Sequence, residues 1–140
     1  FEWWAGSLDR QAQLASDSER RLVYARILDR AEKELDKRNM SPSATYWLAA
    51  ASRGTDDVER AWGVAVAGWI RAREMGPAGA KLRDDLDRLV TQGILPERAR
   101  LLSPADPRSM ENFLKMQWDE LKAKWEKVPA APSRSRAAQP

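Results

Sequence analysis

Neither cysteine nor histidine occurs anywhere in the 140 residues. That excludes disulfides, a thiolate nucleophile, a Ser-His-Asp relay and the usual structural zinc sites from this chain. Glycine is sparse, with seven residues. Gly76, Gly79 and Gly93 have the spacing of neither nucleotide fingerprint, so there is no phosphate-cradling loop. Long apolar runs are missing too. The longest, residues 61–70, is about half of the ~20 residues a membrane-spanning helix needs, and it contains Gly63 and Gly68. Strand signals are nearly absent, with no alternating β-branched run and no Asn-Gly or Asp-Gly turn.

What is present is a mixture of apolar and charged residues suited to one soluble domain with a real core: 43% hydrophobic, 32% charged, mean hydropathy −0.66. The pI of about 9.4 suggests a nucleic-acid partner until the charge is mapped. Segments 1–40, 41–76 and 77–107 are each balanced, and the excess of +3 lies wholly in residues 108–140. A neutral body with one basic end is a poor footprint for a phosphate backbone, so no nucleic-acid partner is expected. Weak binding through Lys115, Lys122, Lys124, Lys127, Arg134 and Arg136 is the alternative. It requires steeply salt-dependent affinity that disappears when residues 129–140 are removed.

Helix signals fill the chain. Residues 1–15 carry Trp4, Leu8, Gln11 and Ala15 near helical spacing and predict a helix that is short or irregular at its start. Ser16 and Glu19 form a capping box for a helix over 17–37, with Tyr24, Ile27, Leu28, Ala31 and Leu35 inward and Arg26, Arg30, Lys33, Glu34 and Lys37 outward. Ser41-Pro42 opens the next helix and Gly54 ends it. Thr55-Asp56-Asp57 supplies a capping hydroxyl and two acids for its successor, and Gly76-Pro77 stops that one. A helix over 80–92 has Leu82, Leu86, Leu89 and Val90 inward and Arg83, Asp84, Asp87 and Arg88 outward, with Gly93 as its stop. Pro96 starts a short helix to Leu102. After Ser103–Pro107, with Asp106 as cap, a last helix over 108–127 aligns Leu114, Trp118, Leu121 and Trp125. Residues 129–140 have almost nothing to bury and predict a disordered tail after a domain of 1–128.

The hairpin over 46–77 resembles the tetratricopeptide repeat. Leu48-Ala49 matches the Leu-Gly pair of its first helix, Ala61 the first alanine of its second, and Gly68 a second small position. Thr45 and Ser52 depart from the Trp and Tyr preferred there, and no proline closes the unit. The resemblance implies an all-α fold of antiparallel helical hairpins stacked as a short array with flanking helices, and a non-catalytic role in binding other proteins. Small residues where the helices cross, Gly63 included, would allow close approach, and Trp62 and Trp69 would fill the neighbouring groove. The FEWW start and LRDDLDRLVTQGILPERARLL also look like a group of bacterial exported proteins with such repeats. That resemblance implies a periplasmic or otherwise extracytoplasmic location, with the cytoplasm as the alternative. The opening Phe1 fits a processed protein or a chosen chain boundary.

Seven tryptophans divide into two groups. Trp47, Trp62, Trp69, Trp118 and Trp125 lie on apolar helical stripes and are expected in the core. Phe1, Trp3 and Trp4 crowd one end, either folded back on the first helices or anchoring a partner. Phe1, Trp3, Trp4, Tyr46 and Trp47 are the candidate partner-binding residues. Asp84, Asp85 and Asp87, with Arg83 and Arg88 beside them, read as a solvated charged face rather than a metal site. No cofactor, metal or catalytic residue is expected. The partner is expected to be a protein, with docking on a membrane complex as one form.

Overall fold

The computed structural model describes residues 1–35 and 42–127. They form seven α-helices: α1 (Glu2–Gln13), α2 (Asp17–Leu35), α3 (Pro42–Gly54), α4 (Val58–Glu74), α5 (Ala80–Leu89), α6 (Leu95–Leu102) and α7 (Pro107–Lys127). A 3₁₀ turn (Gly76–Gly79) precedes α5, and one π-helical turn (Val90–Ile94) joins α5 to α6. No strand occurs among the described residues. The fold is all-α. Ser41, the end of the helix expected to reach Lys37, and the segment expected as a tail lie outside the described residues.

Consecutive helices pack on one another, except that α5 and α6 each pack on the π-turn between them, and α3 is central, touching α1, α2, α4 and α5. The core has two parts. One, between α1, α2 and α3, is built from Ala5, Ile27, Ala31, Trp47, Leu48 and Ala51. The other runs from α3 and α4 through α5 and α6 to α7 and includes Trp69, Leu86, Ile94, Leu95 and Trp118. Tyr46 and Val64, both half-buried, pack against both.

α1 is not irregular at its start. It is helical from Glu2 because Ala5 and Ala12, both fully buried, let its backbone lie close on α2. That turns its inner face by about one residue from the expected stripe and leaves Gln11 exposed. Ser16 does cap α2, with the Glu19 amide donating to its Oγ at 3.4 Å.

The α3–α4 turn uses different chemistry from that expected. Asp57, not Thr55, is the cap, accepting the Arg60 amide at 3.2 Å. The Thr55 hydroxyl bonds back to the carbonyls of Ala51 and Ser52, and Asp56 takes the left-handed conformation (φ 64°). Gly54 ends α3 as expected, but a side chain there would run into the Tyr24 ring.

Of the two glycines on α4, only Gly68 serves packing. A Cβ there would stand 2.5 Å from Thr45 Cγ2 and 3.0 Å from Leu86 Cδ1, whereas at exposed Gly63 it would meet nothing within 4 Å. Gly93 does not stop a helix. The backbone widens into the π-turn and continues into α6, with Val90, Ile94 and Leu95 fully buried on one side, so the burial of that face carries the chain through the glycine.

The expected tryptophan core is present. Trp118 is fully buried, and the rings of Trp62 and Trp69 meet it edge-on at 5.6 and 5.7 Å. Its indole N–H donates to Asp87 Oδ1 at 2.8 Å, and Lys122 Nζ reaches the same oxygen at 2.7 Å. Asp87 is thus not part of a solvated face. It is the polar anchor of α7 on α5, because a buried indole N–H needs an acceptor.

These contacts set two stability expectations. Gly68→Ala overpacks the α3–α4–α5 junction and lowers stability by about 1–3 kcal/mol, while Gly63→Ala raises it by about 0.5–1 kcal/mol through helix propensity. Denaturant unfolding of both variants checks this, and equal effects at the two positions would contradict it.

Candidate functional site

One face of α3 is left uncovered between two walls. Its residues Tyr46, Ala50 and Arg53 follow helical spacing and floor a groove. On one side stand Asp9 and Gln13 of α1 and Arg20 and Tyr24 of α2. On the other stand Leu89, the π-turn and Glu97 of α6. The groove consists of three adjoining hollows of about 590, 520 and 400 Å³. All three share Tyr46, and the third runs out past Pro42, Ser43, Lys81 and Asp85.

The groove is polar. Tyr24 donates to Asp9 Oδ1 at 2.5 Å. Its phenol is held far above its ordinary pKa, first by burial and then by the hydrogen bond and charge of Asp9. The Tyr46 phenol is raised as well, first by burial and then by the charges of Asp9 and Asp85. At neutral pH both are hydrogen-bond donors, not bases. Arg53 Nε stands 3.4 Å from Glu97 Oε2, and these two atoms, both shielded from solvent, make no hydrogen bond. The Arg53 guanidinium lies over Gly93, whose missing Cβ would fall 3.1 Å from the guanidinium carbon. Arg88 pairs with Asp85 at 2.6 Å, and Arg20 Nε donates to the Ala12 carbonyl at 3.2 Å.

The five expected partner-binding residues are not gathered in one place. Tyr46 sits mid-groove. Trp47 is only 8% exposed and packs edge-on to Tyr46 at 5.1 Å, so it belongs mainly to the core. Phe1 and Trp4 are half-buried against the α1–α3 core, and the Arg30 guanidinium lies 6.0 Å over the Trp4 ring. Trp3 is 80% exposed.

Sequence reasoning missed Arg53, Tyr24, Asp9 and Gly93. Arg53 follows Tyr46 by seven residues, a signal of a shared face, but nothing local marks that face as uncovered. Of the residues of the alternative basic patch, Lys122 is taken up by Asp87 and Lys115 pairs with Glu111 at 3.3 Å. Lys124 and Lys127 are exposed, and Arg134 and Arg136 lie outside the described residues. Among the described residues no group of three or more metal-ligating side chains is placed to hold an ion.

No protein-family model matches the chain, and neither a curated protein nor a solved structure does. The groove's own geometry therefore carries the functional reading.

The raised phenol pKa values have a testable consequence. A tyrosine whose folded pKa is raised contributes stability that is whole below its unfolded pKa, near 10, and is lost as pH climbs above it. Tyrosinate absorbance should therefore rise at a pH above the ordinary phenol range, and helical circular dichroism should fall as it does. A midpoint of 10 for both phenols in the folded chain would contradict their burial.

Proposed function

We propose that this chain is a non-catalytic protein–protein interaction module, an accessory or assembly subunit of a larger complex, which receives a segment of another polypeptide in the groove over α3. The observation that carries the reading is the continuity of three hollows along one helix. The 13 residues of α3 give a floor of about 20 Å, the length of roughly six extended residues. The lining suits a peptide: phenol donors, guanidiniums and carboxylates spaced along a shallow trough can meet backbone and polar side chains together. The phenols, held protonated, are poor bases for catalysis.

The tetratricopeptide-like reading of 46–77 agrees with this assignment, since the uncovered face belongs to the first helix of that hairpin. An extracytoplasmic location and docking on a membrane complex belong to the same proposal and rest on the exported-protein resemblance. No described helix is long and apolar enough to cross a membrane. The ion pairing of Lys115 and Lys122 weighs against the nucleic-acid alternative.

Site-specific photo-crosslinking in the native source tests the proposal. A photoreactive residue at Gln13 or Gln92, on the two groove walls, should give one discrete adduct with a second polypeptide. The same group at exposed Gln117 of α7 should not. Equal labelling from all three positions, or recovery of a free monomer throughout, would sink the proposal.

A further inference from the structure

The middle hollow differs from its neighbours in its chemistry. It is lined by Tyr46 and Arg53 of α3, Asp85, Arg88 and Leu89 of α5, and Gln92 and Gly93 of the π-turn. Two guanidiniums, a phenol and a carboxamide thus face one space of about 520 Å³ with a single carboxylate among them. That carboxylate, Asp85, engages one part of Arg88 in a pair between residues three apart, while the Arg88 side chain remains 65% exposed. Such a surface pair is worth little and leaves most of the guanidinium's donors available.

Arg53 is positioned more firmly. Its Nε is turned to Glu97 and shielded from solvent, yet its side chain is 40% exposed. It lines both the first and second hollows, so its accessible part lies in the groove. The berth exists because the π-turn brings Gly93 under the guanidinium, where any Cβ would crowd it.

We infer that this hollow is a carboxylate subsite, in which Arg53 and Arg88 together take an acidic side chain of an extended polypeptide lying along α3. The inference rests on the groove being the partner-binding surface. Guanidiniums suit a carboxylate because their planar donors meet its two oxygens in pairs. The carboxylate belongs to an internal Asp or Glu rather than a chain end, because the groove continues both ways from the subsite. Arg53 and Leu89 are shared with the hollow on one side, and Asp85 with the hollow on the other. A peptide seated there passes through.

Selection of random displayed peptides on the full chain tests this, in one format with both peptide ends tied and another with a free C-terminus. The expected result is enrichment of an internal Asp or Glu at a constant position in the tied format. In the selected peptide, replacing the acid with its amide, or Arg88→Gln in the protein, should each weaken binding about tenfold at low salt, and the two together no further. Gly93→Ala, which displaces Arg53 without changing charge, should weaken the acidic peptide and leave its amide counterpart unaffected. Arg88 is exposed, so Arg88→Gln should keep the wild-type thermal melt.

Peptides blocked by Ala50→Trp, which fills the groove floor, but showing no acidic preference would overturn the subsite and leave the groove reading standing. Acid-free peptides enriched only with a free C-terminus would overturn passage through the groove. Failure to recover any peptide that Ala50→Trp blocks would overturn both.

Discussion

The burial of Trp118 is the interaction on which the packing of α4 through α7 depends. On α7 it is flanked by buried Leu114 and half-buried Leu121 and Trp125. The helix lies on α6, and its one wholly buried large side chain enters between Trp62 and Trp69 of α4. An indole taken out of water contributes on the order of 5 kcal/mol before entropic costs. Its N–H makes that burial conditional, since an unpaired buried donor would cost about 1–3 kcal/mol. Asp87 meets the requirement, and Lys122 balances the charge that Asp87 brings. The anchor holds α7 against α4 and α5, and the far wall of the groove is built on α5 and its continuation.

The near wall has another origin. α1 and α2 close on α3 through alanines buried to zero exposure, which permit near approach of the backbones, with Ile27 and Trp47 filling the remaining space. Tyr46 packs against both cores. Its ring is part of the packing and its hydroxyl belongs to the groove, so scaffold and candidate site share a residue. Arg53, one turn beyond Ala50, depends on the π-turn of the far wall for its berth. Both walls must therefore be assembled before the groove acquires its charges.

Much of the scaffold was legible in the sequence. The stripes Tyr24–Ile27–Leu28–Ala31 and Leu114–Trp118–Leu121–Trp125 face the core, and Ser16, Gly54, Gly76 and Asp106 mark helix ends as read. The misreadings fall where a residue type has two physical uses. Gly93 reads as a helix stop by propensity, but the burial of Val90, Ile94 and Leu95 outweighs a backbone cost of about 1 kcal/mol. Gly63 and Gly68 look alike on paper, and only the positions of Thr45 and Leu86 separate them. Asp87 looks like surface charge until Trp118 is placed beside it.

The candidate site was less legible. Tyr46 was among the residues singled out, while Trp47 turned inward and Arg53 was passed over. Periodicity, composition and capping are local properties, and they determined by themselves an all-α chain of short, amphipathic helices with a tryptophan-rich core and no histidine or cysteine chemistry. Which face of α3 remains uncovered depends on where α1, α2, α5 and α6 come to rest. The pairing of Arg53 with Glu97 joins residues 44 apart in the chain. Contacts at that separation are fixed by how buried surfaces fit together, so the tertiary structure alone decided the groove and the charges that line it.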